Sequence, residues 1–305
     1  MEAIIKLSSL GDIIHSLIVL PKLNKKVDFF VDNVFKEILE YNPFIENIVP
    51  VKLRQAKKQK SLYIKEFVRL KSMDAYERVY DLQGLIKSAL LARLVGDIVV
   101  GFKNPREKIA RFFYDEKKDV LGEIAIRRYI NLFGFDDTQY LKNHPKLLFY
   151  KDKEFEFLSK TKKNIVFIIG ASWECKKTPL KIWDKLAKHF KNENIIIPYY
   201  GESEKKDAFF LAENNSNILP ISLNLNALKA LIDKCDLLIG NDTGPSFIAW
   251  ANNINNVILY GCTYNNKIYE NKFSKSVEMQ KSIKKGLMVM DKMDLNQILK
   301  KIDEF

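Results

Sequence analysis

Short apolar runs alternate with segments of helical spacing twice along this 305-residue chain. The apolar pattern predicts the first three strands at Ala3–Leu7, Val27–Val31 and Ile45–Val51, and a helical or turn segment separates each strand from the next. The turn-rich segment Gly134–Lys163 interrupts this series, and a second one begins with the strand Asn164–Ile169. Parallel strands require such crossover segments. The sequence therefore predicts an α/β fold with two doubly wound parallel sheets.

The chain length also favours two domains, because a single hydrophobic core seldom serves so many residues. The turn-rich segment places their boundary near residue 150. We therefore expect one domain at residues 1–150 and a second at residues 151–305. The last predicted helix, Leu295–Ile302 with Asp294 as its cap, could pack back on the first domain.

No apolar stretch is long enough to predict a membrane span or a secretory leader. The best candidate, Leu10–Leu20, is too short and is interrupted by Asp12 and His15. We therefore expect a cytoplasmic protein. The three cysteines are odd in number, far apart and without metal-ligand spacing, which predicts reduced, structural thiols. They are Cys175, Cys235 and Cys262.

The formal net charge of +12 is concentrated in two segments of the first half of the chain. These basic segments are Lys52–Lys71 and Lys103–Lys118. Such density attracts nucleic acid, anionic lipid head groups or a phosphorylated substrate. A merely solvated lysine-rich surface is equally consistent, so charge alone does not decide the function.

The first turn that could carry chemistry is Lys6–Asp12, at the end of the opening strand. Ligands of open α/β sheets bind beyond the carboxyl ends of the strands. Asp12 stands where the next helix begins, so it could simply cap that helix. An exposed carboxylate at this place could also accept a proton from a substrate hydroxyl. Both roles remain open at this point.

A second turn, Gly240–Ser246, follows an apolar strand and precedes a helix. Its small residues expose main-chain N–H groups, and Thr243 and Ser246 offer hydroxyl donors, which suits a diphosphate. Asp242 would repel phosphate, so it is expected to orient main-chain amides or to contact sugar hydroxyls. An ordinary strand–helix turn is the alternative.

A third turn, Gly170–Pro179, brings Lys176 and Lys177 to the start of a helix. A lysine here could neutralise the charge that develops on a diphosphate leaving group. A solvated basic loop would look the same. The chain has no G-x-G-x-x-G after its first strand, no P-loop and no zinc motif, which disfavours dinucleotide oxidoreductases, P-loop enzymes and zinc hydrolases.

Four segments together resemble the motifs of one enzyme family. They are Lys6–Asp12, Tyr80–Ala89 with its pattern D-x-Q-G-L-x-K-S-A, Asp242–Ser246, and Tyr260–Thr263. In this order they resemble glycosyltransferase family 9, the ADP-heptose:lipopolysaccharide heptosyltransferases, and the resemblance covers nearly the whole chain. Phe247 stands where the family usually has histidine, and Cys262 where it has proline.

The resemblance implies a GT-B fold, in which two Rossmann-like domains face each other across a cleft. The first domain would bind the acceptor and the second ADP-heptose. The implied reaction moves L-glycero-D-manno-heptose, with inversion, onto the Kdo residue of Kdo2-lipid A. No metal and no cofactor beyond the donor substrate are implied.

Roles for individual residues follow from the same resemblance. Asp12 would be the catalytic base, and Lys176 would assist the departing ADP, with Lys177 as the alternative. The donor-binding residues implied are Ser172, Lys177, Glu204, Asp242, Thr243, Gly244, Pro245 and Ser246. The acceptor-binding residues implied are Ser9, Gly11, Lys57, Lys58, Lys60, Gln83, Gly84, Lys87 and Arg106.

The family gives the two basic segments a specific interpretation, since lipid A carries phosphates and Kdo a carboxylate. We expect peripheral contact with the anionic cytoplasmic leaflet of the inner membrane, and no nucleic-acid partner. Within the family, an enzyme of the heptosyltransferase II type that adds heptose to heptose is the alternative. A non-catalytic basic protein that binds nucleic acid, or a domain that binds a nucleotide sugar without turnover, are alternatives of other classes.

Overall fold

Two parallel sheets flanked by helices make up the protein, in a computed structural model that describes residues 1–52, 60–120, 124–135, 138–263, 270–278 and 294–305. The chain divides into two compact units, Met1–Thr138 and Gln139–Phe305, whereas the sequence placed the boundary at residue 150. Every strand pairing in both sheets is parallel. The predicted fold class, α/β with two doubly wound parallel sheets, is confirmed.

The first sheet has the strand order β3-β2-β1-β4-β5-β6. Its strands are β1 (Glu2–Ile5), β2 (Val27–Asp32), β3 (Ile45–Val51), β4 (Tyr76–Asp81), β5 (Gly96–Phe102) and β6 (Glu116–Lys118). The chain order reverses between β1 and β4. In open parallel sheets this reversal leaves a crevice at the carboxyl ends of the two strands, where ligands bind.

The helices of the first unit are short. They are α1 (Leu10–Ser16), α2 (Lys60–Lys71), α3 (Ile86–Val95), α4 (Ala125–Leu132) and the 3-10 helices Leu17–Lys22, Asn33–Ile38 and Lys108–Phe113, with α5 (Thr138–Lys142) at the boundary. The sequence predicts one helix at Ile13–Leu23. The structure instead changes to 3-10 geometry at Leu17, before Pro21, whose missing N–H cannot continue the α-helical pattern.

Helix α2 differs from its sequence pattern. The spacing predicts Leu62, Phe67 and Leu70 along one side, but Phe67 is 53% exposed, whereas Leu70 is buried together with Glu66. Arg69 donates to both carboxylate oxygens of Glu66, at 2.7 and 3.1 Å, and the main-chain N–H of Lys52 also donates to this group. These bonds compensate the buried charge and leave the apolar side of α2 facing outwards.

The second sheet repeats the strand order of the first, as β12-β11-β10-β7-β8-β9. Its strands are β7 (Asn164–Ile168), β8 (Asn194–Tyr199), β9 (Ile218–Ser222), β10 (Leu237–Asn241), β11 (Asn256–Tyr260) and β12 (Ser274–Glu278). Its helices are α6 (Leu180–His189), α7 (Gly201–Asn214), α8 (Leu225–Asp233), α9 (Phe247–Ala251) and α10 (Leu295–Ile302), with 3-10 turns at Glu174–Lys176 and Gly244–Ser246. The reversal of chain order here lies between β7 and β10.

Helix α10 belongs to the core of the second unit, where Ile298 is fully buried near Trp183 and Leu259. Asp294 caps this helix as predicted, because its side chain accepts a hydrogen bond of 2.9 Å from the N–H of Asn296. Among the described residues, no helix is both long and apolar enough to cross a membrane.

Strand β5 packs closely against the aromatic ring of Tyr114, and a glycine makes this possible. A Cβ atom at Gly101 would collide with that ring. The hydroxyl of Tyr114 donates to Asp81 at 2.8 Å, so the ring cannot move aside without breaking a buried hydrogen bond.

We therefore predict that Gly101→Ala lowers the free energy of unfolding by about 1–3 kcal/mol, the usual cost of overpacking. Chemical denaturation of the wild type and the variant measures this loss. The same substitution made on a Tyr114→Ala background should cost much less, because the colliding ring is absent. An equal loss on both backgrounds would show that the ring is not the cause.

Candidate active site

In the first unit, Asp12 lies at the start of α1, at the carboxyl end of β1. The main-chain N–H and the hydroxyl of Ser9 both donate to its Oδ2, at 3.2 and 2.9 Å. Ser9 is the N-cap of α1, and Asp12, three residues later, accepts from the N-cap residue as in a capping box, so it has the helix-stabilising role that was one of the two predicted. Both bonds use Oδ2, so the carboxylate can stabilise the helix start through Oδ2 and accept a proton through Oδ1.

The surroundings of Asp12 favour its ionised form. Burial alone would raise the pKa of Asp12, but the charges of Lys6 and His15 and the hydrogen bonds from Ser9 outweigh burial, so the pKa lies below its ordinary value of 3.8. Lys6 is itself buried, and its ammonium donates to the carbonyl of Leu82 at 3.1 Å. At neutral pH, Asp12 is a carboxylate that can accept a proton.

The turn that follows β4 supports the turn that follows β1. Oε1 of Gln83 accepts hydrogen bonds from the main-chain N–H groups of Leu7 and Ser8, both at 3.1 Å. Gly84 has φ of +67°, a conformation that glycine adopts easily. Its carbonyl accepts from the N–H of Glu107 at 3.0 Å. The turns after β1, β4 and β5 are thus joined side by side at one edge of the sheet.

Asp81, the last residue of β4, holds the middle turn. Its Oδ1 accepts from the N–H groups of Gln83 and Gly84, and its Oδ2 accepts from the hydroxyls of Ser88 and Tyr114. Burial raises the pKa of Asp81, and these four hydrogen bonds oppose the rise. The sequence motif contains Asp81, Gln83, Gly84 and Ser88 at the spacing that this set of bonds needs.

The predicted acceptor-binding residues of the first unit differ in their exposure to solvent. Ser9, Lys87 and Arg106 are exposed, while Gly11, Gln83 and Gly84 are buried. Lys57 and Lys58 lie outside the described residues, as does the side chain of Lys60. The structure brings the turns of Ser9, Gln83 and Arg106 to one sheet edge.

In the second unit, Asp242 joins two loops from its place directly after β10. The ammonium of Lys176 lies 2.5 Å from Oδ2 of Asp242 and 3.4 Å from its main-chain oxygen. The hydroxyl of Thr263 donates to the same Oδ2 at 2.6 Å. The side chain of Lys176 is only 9% exposed and that of Asp242 is fully buried. This is a buried ion pair, so removing either partner would leave a buried charge uncompensated.

Asn241, a residue that the sequence analysis did not select, fixes the loop that carries Lys176. Its Oδ1 accepts from the main-chain N–H and the hydroxyl of Thr178, at 3.1 and 2.7 Å, and its amide nitrogen donates to the carbonyl of Ile169 at 2.6 Å. The only sequence signal for this role is a polar side chain at the end of an otherwise apolar strand.

The turn Thr243–Ser246 presents fewer donors than its sequence suggests. Thr243, Gly244 and Pro245 are partly exposed, but Ser246 is fully buried and its hydroxyl donates to the carbonyl of Asn241 at 2.7 Å. Ser246 thus uses its hydroxyl within the protein, and its contact with a ligand stays a prediction. Helix α9 has only five residues, so its dipole adds little to anion binding.

Glu204 lies against the loop that follows β7. Its Oε2 accepts from the N–H of Tyr200 at 2.9 Å, and a Cβ atom at Gly170 would collide with its carboxylate. Burial raises the pKa of Glu204, while the Tyr200 N–H and the charge of Lys177 lower it. Lys177 is partly exposed and pairs with the exposed Glu174 at 2.8 Å, and Ser172 is exposed.

The cysteines correct another prediction. Cys175 and Cys262 form a disulfide, with Cα atoms 5.5 Å apart, while Cys235 is a buried free thiol. The two cysteines are 87 residues apart in the sequence, which suggested that they are unpaired. Cys175 lies in the loop after β7 and Cys262 in the loop after β11, and these loops meet at the carboxyl ends of the strands. The disulfide joins the residues directly before Lys176 and Thr263, the two partners of Asp242.

Phe247 is buried, with 1% of its side chain exposed, so this position contributes no surface to a ligand. Across the described parts of the chain, no group of three or more His, Cys, Asp or Glu side chains is arranged to hold a metal ion.

Comparison with known proteins gives consistent results. A family model described as glycosyltransferase family 9 (heptosyltransferase) matches residues 67–300. Lipopolysaccharide heptosyltransferase 1 of Campylobacter coli is 33% identical over 306 residues, covering 90% of this chain and 87% of that protein. The protein of the same name from Pseudomonas aeruginosa is 29% identical over 294 residues, covering 85% of this chain and 78% of that one.

A solved structure shares the fold. E. coli heptosyltransferase WaaC with ADP-2-deoxy-2-fluoro heptose superposes with a TM-score of 0.82 at 23% identity, covering 100% of this chain and 99% of that one. The family model spans most of the chain, and the C. coli protein is more than 30% identical over nearly all of it. The chain belongs to glycosyltransferase family 9, the heptosyltransferases.

Proposed function

We propose that the protein is an inverting heptosyltransferase that moves L-glycero-D-manno-heptose from ADP-heptose to the Kdo residue of Kdo2-lipid A. The observation that carries the proposal is the ionised Asp12 at the β1/β4 reversal of a family 9 chain. The similar proteins of C. coli and P. aeruginosa, both named heptosyltransferase 1, favour this acceptor over the heptose acceptor of a heptosyltransferase II type.

In the proposed reaction, the acceptor hydroxyl attacks the anomeric carbon of the heptose and gives its proton to Asp12. The bond between that carbon and the diphosphate oxygen breaks with its electron pair on ADP. Because the new bond forms on the opposite face, the configuration inverts. Asp12 contributes a base that is already ionised, and the remaining chemical task is to stabilise the charge on the departing diphosphate.

Lys176 is our candidate for this stabilisation. Asp242 holds its ammonium in place by accepting two hydrogen bonds from it, and the ammonium also lies 5.2 Å from the centre of the Trp173 ring; in the proposal its third N–H donor serves a diphosphate oxygen. We assign diphosphate binding to Thr243, Gly244, Pro245 and Ser172, and binding of the adenosine ribose to Glu204. The proposal needs no metal ion and no further cofactor. Lys177 remains the alternative to Lys176.

We also propose peripheral attachment to the cytoplasmic face of the inner membrane. Six large apolar side chains on α2, α3 and the 3-10 helix Lys108–Phe113 are about half exposed or more. Helix α3 packs against both α2 and this 3-10 helix. They are Ile64, Phe67, Val68, Leu90, Ile109 and Phe112. Exposed cations accompany them, namely Lys65, Lys71, Lys87, Lys108 and Arg111. Apolar side chains among cations suit an anionic lipid surface.

The direct test of the proposed reaction is ADP release in the presence of ADP-heptose and Kdo2-lipid A. We expect release that requires both substrates. Release at the same rate without acceptor would identify a hydrolase. No release, together with DNA binding that weakens steeply with salt, would favour the nucleic-acid alternative.

Asp12→Asn should lower kcat by about 10²–10⁴, the usual contribution of a positioned base. The amide still offers an oxygen to the N–H of Ser9, so the thermal unfolding temperature should change little. Ser9→Ala is the matched control, since it removes one hydrogen bond to Asp12 and leaves the carboxylate; its kcat should stay within about tenfold of the wild type. Full turnover by Asp12→Asn would exclude Asp12 as the base.

Lysine substitutions distinguish Lys176 from Lys177. Because Lys176→Met alone would strand a buried carboxylate, we combine it with Asp242→Asn and use Asp242→Asn alone as the control. The double variant should have a kcat about 10²–10³ below that control, the size of loss expected for one transition-state donor. Lys177→Met should change kcat by less than about tenfold. The reverse ranking would assign the role to Lys177.

Vesicle binding tests the proposed membrane surface. Phe112→Ser should weaken binding to vesicles that contain anionic lipid by about tenfold, because Phe112 is 71% exposed on that surface. Phe210→Ser, at an exposed phenylalanine of α7 in the second unit, is the matched control and should have no effect. Equal binding to neutral and anionic vesicles, or equal effects of both substitutions, would argue against this surface.

A further inference from the structure

The turn that leads from β1 to Asp12 is held by side chains outside it. The N–H groups of Leu7 and Ser8 both point to Oε1 of Gln83, at 3.1 Å each. Because both partners are N–H donors, the atom that faces them must be the oxygen of the amide group and not its nitrogen. On the other side, the carbonyl of Leu7 accepts from the N–H of Asp32 at 3.2 Å.

Gln83 is in turn fixed in place. It is only 7% exposed, and its own N–H donates to Oδ1 of the fully buried Asp81 at 2.9 Å. Asp81 is held through Oδ2 by Ser88 and Tyr114, at 2.9 and 2.8 Å. Reorienting the Gln83 oxygen towards a substrate would leave two main-chain N–H groups without their acceptor, which costs free energy in a buried place.

The bonds continue from this turn to the proposed base. Ser8 is followed directly by Ser9, whose N–H and hydroxyl donate to Oδ2 of Asp12. The direction of the Asp12 carboxylate therefore depends on the path of the main chain at Leu7 and Ser8. Gln83 holds that path from the turn that follows the neighbouring strand β4.

We propose that Gln83 is a positioning residue for Asp12, which it orients by fixing the Leu7–Ser8 main chain, and that its oxygen is not an acceptor-binding group. This inference rests on the proposed role of Asp12 as the base. It changes the expectation from the sequence, in which Gln83 contacts the acceptor. A displacement of about 1 Å in a reacting group can cost on the order of 10² in rate, so a single accepting oxygen is enough to matter.

The test compares Gln83→Met, which keeps the shape but loses the acceptor, with Gln83→Glu, which keeps an acceptor oxygen. In Gln83→Met we expect kcat to fall by about 10–10² with the KM for acceptor nearly unchanged, and the Leu7 and Ser8 amides to exchange hydrogen faster. Gln83→Glu should recover most of the kcat and of the amide protection.

Combining Gln83→Met with Asp12→Asn shows whether Gln83 acts through Asp12, and so tests this inference separately from the proposed function. If Gln83 acts through Asp12, the double variant Gln83→Met/Asp12→Asn should be no slower than Asp12→Asn alone. A raised KM for acceptor with unchanged kcat in Gln83→Met would instead make Gln83 a substrate contact and overturn the inference. Full activity of Asp12→Asn would refute the role of Asp12 as the base, on which this inference rests, whatever Gln83 does, while the ADP-release test decides the proposed function separately.

Should Gln83→Met fail to fold, Gln83→Asn provides the same comparison, since its amide is one methylene too short to reach both N–H groups. The same fall in kcat with protection lost at Leu7 and Ser8 supports the inference. Unchanged kcat and protection in Gln83→Asn contradict it.

Discussion

A carboxyl group buried away from water must be satisfied by hydrogen bonds or by a cation. This requirement fixes the turns at the carboxyl ends of the strands in both sheets. Asp81 ends β4 in the first unit, and Asp242 directly follows β10 in the second. Each of these strands is the fourth of its sheet and lies beside the first one, at the reversal of chain order. The partners of Asp81 come from its own turn, from helix α3 and from Tyr114, and those of Asp242 come from the loops after β7 and β11, so satisfying each group fixes the positions of these segments.

This arrangement separates the residues that hold the site from those that can meet a substrate. Asp81 and Asp242 are buried and use their oxygens inside the protein, while Ser9, Asp12 and Thr243 are partly or fully exposed. The charge of Lys176 is buried with Asp242, so it has a fixed position before any ligand arrives. Preorganised charges stabilise a developing anion better than mobile ones, because they need no reorganisation during the reaction. The disulfide between Cys175 and Cys262 links the loops that carry Lys176 and Thr263, and the main-chain N–H of Cys262 also donates to the carbonyl of Cys175 at 3.2 Å.

Much of the fold follows from local sequence. The structure has the strands Ile45–Val51 and Leu237–Asn241 and the helix Leu295–Ile302 with the bounds that their patterns predict. The strands that the sequence analysis missed, β6, β9 and β12, all lie at sheet edges. Edge strands have one partner strand, so they need less apolar sequence; β6 (Glu116–Lys118) and β12 (Ser274–Glu278) are largely polar.

The site was less predictable, because a motif shows which residues are present and not which way their side chains point. Ser246 and Gln83 both have the right chemistry for a ligand, yet each bonds to main-chain groups of its own unit. Pairing between Cys175 and Cys262 depends on strand order, which brings together loops that are distant in sequence. Phe67 is exposed because a compensated Glu66 takes the buried side of α2 instead. All these outcomes depend on tertiary contacts that local spacing does not contain.

We expect the turn held by Asp242 to receive the diphosphate of the donor, and a crystal structure of the protein with ADP would measure this. The diphosphate oxygens should contact the main-chain N–H groups of Thr243 and Gly244 and the ammonium of Lys176. A diphosphate bound away from this turn, with Lys176 unchanged on Asp242, would contradict this expectation.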